Sequence, residues 1–340
     1  MRRVLLLAAL AATLWLAWVH ETRFPLRGLD DPPLTLVVAP GASAESIGRQ
    51  LQALGLVRHP LLFRVHVFFR GDGARLKAGE YSIEGPSSLD DVAEILVRGD
   101  VVRHDVTFPE GRNLEEMASI AADHGLDRLA FLAAAHNPGP MRDLDPAATD
   151  LEGYLFPDTY DVPRSADPAG ESRRLVGRMV ERFRAVAVPA MAELTARGLT
   201  LRQAVTLASI VELETAQPEE RPRISAVFLN RLKLGMPLQT DPTVIYALRK
   251  AGTWDGNIRK KDLGIDSPYN TYKRPGLPPG PIASPGREAL QAVAAPAEGK
   301  DLYFVSRNDG THEFSETLAL HERAVDRYQR HRAPRPGEKG

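Results

Sequence analysis

Residues 200–248, TLRQAVTLASIVELETAQPEERPRISAVFLNRLKLGMPLQTDPTVIYAL, set two acids inside an otherwise apolar helical run. Thr200 and Gln203 have the spacing of a capping box, which predicts a helix from Leu201 to about Thr215, and Pro218 forces a new start. At 100° per residue, Leu207, Ile210 and Val211 fall within about 60° of Glu214, whereas Glu212 lies about 200° away beside Val205, Ala208 and Ser209. The two acids therefore cannot form a carboxylate pair in one cleft, and at most one is catalytic. Glu214 is the better candidate, because a carboxyl among apolar groups keeps its proton near neutral pH, as a general acid must. The competing reading is a salt-bridged or solvated glutamate at a helix end.

Gln217-Pro218-Glu219-Glu220 reads as a second helix start, and Ile224, Val227, Phe228 and Leu232 form its apolar stripe up to Gly235. The result is a helical hairpin. Asp241-Pro242 opens a third, shorter helix with Val244, Ile245 and Leu248. The loop from Met236 to Thr240 returns the chain toward the end of the first helix, so Gln239, Thr240, Asp241 and Tyr246 are expected to face the glutamate.

These residues also resemble a known family. Ala208 to Ile210, Glu212 to Thr215, Asn230 to Leu232 and Leu238 to Tyr246 are similar, in order, to the signature of the endolytic murein transglycosylases, the MltG or YceG-like family. The likeness extends through Glu152 to Tyr160, Ser267 to Tyr272, Gly276 to Ile282 and Tyr303 to Val305, and covers most of residues 105–325. Leu213 stands where a lysine is common and Pro281 where an alanine is common; neither change removes a group the chemistry needs. The resemblance implies that Glu214 is the catalytic acid, which agrees with the helical-wheel argument. It implies cleavage of peptidoglycan glycan strands between N-acetylmuramyl and N-acetylglucosaminyl residues to leave 1,6-anhydro ends, a role in ending strand elongation, and elongation-machinery penicillin-binding proteins as partners. Gln239, Asp241, Tyr246, Asn270 and Tyr272 are the substrate-binding candidates, and no cofactor is required. Two rivals remain: a two-carboxylate muramidase with Asp241 or Asp158 as second acid, and an inert glycan-binding scaffold.

The rest of the chain is consistent with an α+β protein. Met1-Arg2-Arg3 precedes an uncharged run, and residues 4–20 read as a membrane anchor. The resemblance implies an uncleaved single pass through the cell inner membrane, with residues 1–3 cytoplasmic and the remainder periplasmic; the run is short enough for a cleaved signal peptide as the alternative. Residues 21–33 form a linker. Residues 34–104 have the order of a small α/β unit: strand at Thr35–Ala39, helices at Ser43–Leu54 and His59–Phe69, strand at Ala78–Ile83, and a helix capped by Ser88. Gly41, Ile47, Gly55 and Leu56 recur as Gly111, Met117, Gly125 and Leu126, so the unit is duplicated. It resembles the LysM-like subdomain of the family, with a plain spacer as the other reading. Residues 105–332 then form the helix-rich catalytic domain, in which Tyr154, Phe156 and Tyr160 either offer faces to sugars or fill the core. Residues 333–340 are expected to be a disordered tail.

Composition excludes several classes. With no cysteine there is no thiolate nucleophile, disulfide or cysteine metal site. A net charge of −1, without a basic run interleaved with aromatics, gives no nucleic-acid surface. His312-Glu313 and His321-Glu322 each lack the second histidine of a zincin motif, so no metal is expected.

Overall fold

The structure, a computed structural model, describes residues 9, 12, 13, 15, 16, 18–20, 22–26, 28–164 and 167–330. The apolar run 4–20 lies partly outside them, and the tail 333–340 wholly so. Among the described residues no helix is long and apolar enough to cross a membrane.

The elements run β1 (Leu34–Val38), α1 (Ala44–Ala53), α2 (Pro60–Arg70), β2 (Gly79–Ile83), α3 (Leu89–Arg98), β3 (Arg103–Thr107), α4 (Leu114–Asp123), α5 (Arg128–Ala135) and β4 (Thr159–Pro163). They continue through α6 (Pro168–Ala187), α7 (Met191–Ala196), α8 (Leu201–Glu214), α9 (Arg221–Lys233), α10 (Asp241–Lys250), α11 (Arg287–Ala294), β5 (Tyr303–Ser306), β6 (His312–Ser315) and α12 (Leu318–Val325). The described sheets each have two strands, β1 with β2, β3 with β4 and β5 with β6, so the fold is helix-rich α+β, as expected. The chain divides into two compact units. One holds the described residues up to Val106 with Gly125–Asp127 and Asp161–Glu171; the other holds Thr107–His124, Arg128–Tyr160 and Ser172 onward.

In the first unit β1 and β2 are antiparallel, with Leu36 opposite Tyr81. Alternation puts Leu36, Val38, Tyr81 and Ile83 on one face, where they meet Ile47 and Leu51 of α1, Phe63 and Val67 of α2, and Val92 and Leu96 of α3. Ser43 caps α1, and Ser88 with Asp91 makes a capping box on α3. The order strand, helix, helix, strand recurs in β3, α4, α5 and β4, with residues 136–158 inserted before the closing strand. The repeat is physical as well as textual. Gly41 and Gly111 both have φ above +70°, as do Gly55 and Gly125, and Ile47 and Met117 are both fully buried.

The second unit is built on α8. Nine of its residues are buried, which is why it packs against α9, α10 and α11 at once. Tyr154, Phe156 and Tyr160 belong to the core: Tyr154 is fully buried with its hydroxyl on Asp145 (2.6 Å), and Tyr160 donates to the Phe156 carbonyl (2.7 Å). They present no face to a sugar. The β5–β6 hairpin packs on α9 through Phe304, edge-on to Phe228 at 5.7 Å, and through Phe314 beneath the Arg223 guanidinium at 4.2 Å.

At Gly153 backbone and packing constrain each other. Its φ is +80°, and a methyl group there would stand 2.5 Å from Pro281 Cβ and 3.0 Å from Val205 Cγ1 of α8. Gly55 has a similar φ, +72°, with open space around it. Gly55→Ala should therefore cost only the left-handed penalty, about 1 kcal/mol, whereas Gly153→Ala adds overpacking for a total of roughly 3 kcal/mol. Denaturant unfolding of the two variants checks this, and equal losses would show that the contact beneath Gly153 is not a constraint.

Candidate active site

Helix α8 starts where Thr200 Oγ1 accepts from the Gln203 N–H (3.2 Å) and Gln203 accepts from the Thr200 N–H (2.9 Å). With its start fixed, the two acids of its last turn take opposite sides. Glu212 binds the Arg221 guanidinium (2.9 Å) and the Gly286 N–H at the start of α11 (2.8 Å), and its side chain is 5% exposed. Arg221 also pairs with Glu288. Glu212 is a structural fastener between three helices.

Glu214 faces the other way. As a residue it is only partly covered, but its carboxyl is densely surrounded, and the loss of hydration pushes its pKa up to about 7. Thr240 Oγ1 donates to it and favours the ionised form; the Asp241 charge opposes ionisation, and His312 and Arg231 assist it. A carboxyl in this balance can give up a proton and take one back.

Thr240 is placed by a bolted turn. Gln239 sits at φ +50°, a left-handed conformation that costs of the order of 1 kcal/mol in a non-glycine residue. The strain is held by Thr271: its carbonyl accepts from the Gln239 N–H (3.2 Å), its hydroxyl accepts from the Thr240 N–H (3.1 Å), and the same hydroxyl meets Thr243 Oγ1 (2.8 Å). Asn270 anchors the loop that carries Thr271. It is fully buried, donates to the carbonyls of Leu263 (3.0 Å) and Ile265 (2.8 Å), and accepts from the Tyr272 N–H (3.0 Å). Asn270 thus faces backbone, not a ligand. Tyr272 donates to Asp241 Oδ1 at 2.6 Å, which joins two of the expected binding residues beside Glu214.

Tyr246 is turned elsewhere. Its hydroxyl donates to Glu152 Oε2 (3.1 Å), while Glu152 Oε1 accepts the Leu114 N–H at the start of α4 (3.2 Å). Glu152 is 6% exposed, and burial pushes its carboxyl up to about 8. Asp158 is held by Arg182 Nε (2.9 Å) on the other side of the sequence motif.

Three residues were not among the site candidates read from the sequence. Arg231 is 8% exposed; it donates to the carbonyls of Leu302 (2.6 Å) and Leu238 (2.7 Å), its guanidinium lies 5.2 Å from the Tyr303 ring centre, and burial lowers its pKa. His312 contacts Glu220 through Nδ1 (2.7 Å), and its N–H donates to the same carboxylate (2.8 Å). Glu152 is the third. Arg231 and Glu152 lie inside motifs quoted above, and a charge placed in an apolar stripe was the available signal.

Comparison with known proteins identifies the family. The model of the YceG-like family matches residues 36–327. An endolytic murein transglycosylase of Bacillus subtilis is 32% identical over 85% of this chain and 82% of its own length. One of Streptococcus pneumoniae is 30% identical over 91% of this chain, which spans 60% of that relative. The crystal structure of a YceG-like protein from Listeria monocytogenes superposes with a TM-score of 0.58 at 30% identity, covering 86% of this chain and 98% of that one. With its family signature matched from the first strand to the last helix, the chain belongs to the YceG-like family.

Proposed function

We propose that the chain is a lytic transglycosylase that cuts peptidoglycan glycan strands internally, with Glu214 as its single acid and base. The observation that carries this reading is the carboxyl of Glu214, desolvated on an apolar helix face, held by Thr240 and raised to about 7. In its protonated form Glu214 donates to the oxygen leaving C1 of an N-acetylmuramyl residue as the C1–O bond breaks. The acetamide or an equivalent group supports the developing oxocarbenium ion. Arg231 and His312 favour the carboxylate that remains, and that carboxylate takes the proton of the muramyl 6-hydroxyl as O6 closes onto C1. Gln239, Asp241 and Tyr272 position the strand, Asn270 acts through the loop it anchors, and no cofactor enters. The names of the relatives support the same activity.

Glu214→Gln should abolish cutting in a folded protein, because an amide has no proton to give to a leaving group. Glu212→Gln should lose stability through Arg221 but continue to cut. Mass spectrometry of the products should show anhydro ends, about 18 Da lighter than hydrolytic ends and resistant to borohydride. Reducing ends would establish the muramidase, with Asp241 or Asp158 as the second carboxylate, and no cutting by folded protein would favour the scaffold.

The pH profile follows from the direction of the shift. The acid must be protonated, so kcat/KM should fall as pH rises through about 7. The Thr240 hydroxyl stabilises the carboxylate, so Thr240→Val should move that alkaline limb upward while lowering the maximum. A limb that stays in place would remove Glu214 as the titrating group.

The apolar run 4–20 is proposed as an uncleaved anchor in the inner membrane, with the two units in the periplasm; the support is Arg2 and Arg3 ahead of an uncharged stretch. N-terminal sequencing of membrane-extracted protein should recover the first residues. A soluble chain starting after Ala11 would establish a cleaved signal peptide instead.

A further inference from the structure

We infer that the cavity floored by Glu152 receives the peptide stem of the substrate and that a groove along α10 leads to it from the catalytic turn. This rests on the reading of Glu214 as the group that cuts the glycan.

The geometry comes first. A cavity of about 560 Å³ is lined by Leu114, His136, Glu152, Tyr246, Lys250 and Trp254, among others. A smaller recess of about 200 Å³ shares Asn113, Glu116, Tyr246 and Arg249 with it and starts at Leu213 and Pro242. Leu213 adjoins Glu214, and Pro242 follows the turn that holds it. Pro242, Ile245, Tyr246 and Arg249 are spaced three or four apart on α10, so they form one face of that helix. Seven residues of helix advance about 10 Å. The two recesses share four lining residues and therefore make one groove of that length, with its outer end at Leu213 and Pro242, the residues next in sequence to Glu214 and Asp241.

The chemistry of the lining then selects the occupant. A glycan strand whose lactyl groups are amidated carries neither free carboxylate nor ammonium, and a subsite for sugar needs only neutral partners. This cavity has both signs of charge. Glu115, which pairs with Arg128 (2.5 Å), Asp150 and Lys250 all line it, with Lys250 Nζ 5.9 Å from the Tyr246 ring centre and 5.6 Å from that of Tyr269. Among the described residues Lys250 makes no ion pair. Glu152 lines the same cavity, accepting from Tyr246 and Leu114, and its burial, which disfavours the charged form, suits it to face a carboxylate that Lys250 neutralises. The stem leaves the lactyl group of the same muramyl ring whose C1 is cut. Three extended residues reach about 10 Å, the length of the groove. Its carboxylate then meets Lys250 and Glu152, and its free ammonium meets Asp150.

The test compares two substrates for the full-length chain in detergent: strands bearing stems, and the same strands stripped by an amidase. Wild type should show kcat/KM at least roughly tenfold higher on stem-bearing strands, the effect of one charged hydrogen bond. Lys250→Glu should bring the ratio close to one, and Lys250→Arg should restore it. Equal cutting of both substrates by wild type, or an equal loss on both in Lys250→Glu, would overturn the inference. Independently, Glu214→Gln titrated with a synthetic muramyl tetrapeptide containing a diamino acid should bind it, and adding Lys250→Glu should weaken binding roughly tenfold. Absence of binding, or binding indifferent to Lys250, overturns the inference. If neither strand is cut by folded wild-type protein, the transglycosylase reading fails, and the titration still decides the cavity.

Discussion

The arrangement of the second unit depends on keeping one carboxyl out of water at the end of a helix. Unfolded, Glu214 would ionise in the usual carboxylate range, whereas in the fold it holds its proton to about 7. Between those values the native state binds a proton that the unfolded chain does not, so stability declines as pH rises through that window. The shift corresponds to roughly 3 kcal/mol, a large share of what a domain has to spare. The surroundings answer this cost with a Thr240 hydroxyl and with Arg231 and His312 nearby, and not with a salt bridge that would fix the charge. Thr240 in turn needs the strained Gln239, the strain needs Thr271, and Thr271 needs the loop that Asn270 anchors.

Two acids separated by a single residue on α8 illustrate how environment divides labour. Glu212 meets an arginine of α9 and the N–H at the start of α11, and so joins α8 to both. Glu214 meets one hydroxyl. The 3.6-residue period, not the chemistry of the side chain, decides which glutamate fastens the fold and which can exchange a proton.

Much of this was legible because it is local. The capping box at Thr200, the restart at Pro218, the α10 start at Asp241 and the duplicated strand-helix-helix-strand order are set by short-range rules, and the structure has them where the pattern places them. What escaped is long-range. That Tyr246 turns to Glu152, 94 residues away in sequence, depends on how α10 rolls against α4, and no periodicity within α10 encodes its partner. Asn270 read as a ligand for saccharide hydroxyls, since a polar residue in a loop has that appearance until its neighbours fold over it. Arg231 was hidden for the same reason: its partners are backbone carbonyls at Leu238 and Leu302, and backbone leaves no signature in a sequence.

The duplicated unit has a consequence for how this chemistry was assembled. In the first copy the second helix runs on to its closing strand through a short connection; in the second copy residues 136–158 intervene and carry Asp145, Asp150, Glu152 and Gly153. The ends of that insertion are α5 and a strand already paired to β3, so extra length between them adds little closure entropy. A repeat that no longer needed every residue for its own core could lengthen at that point without risk to the fold. The floor beneath α10 is thus carried by a loop that the first copy lacks, attached where added length strains the fold least.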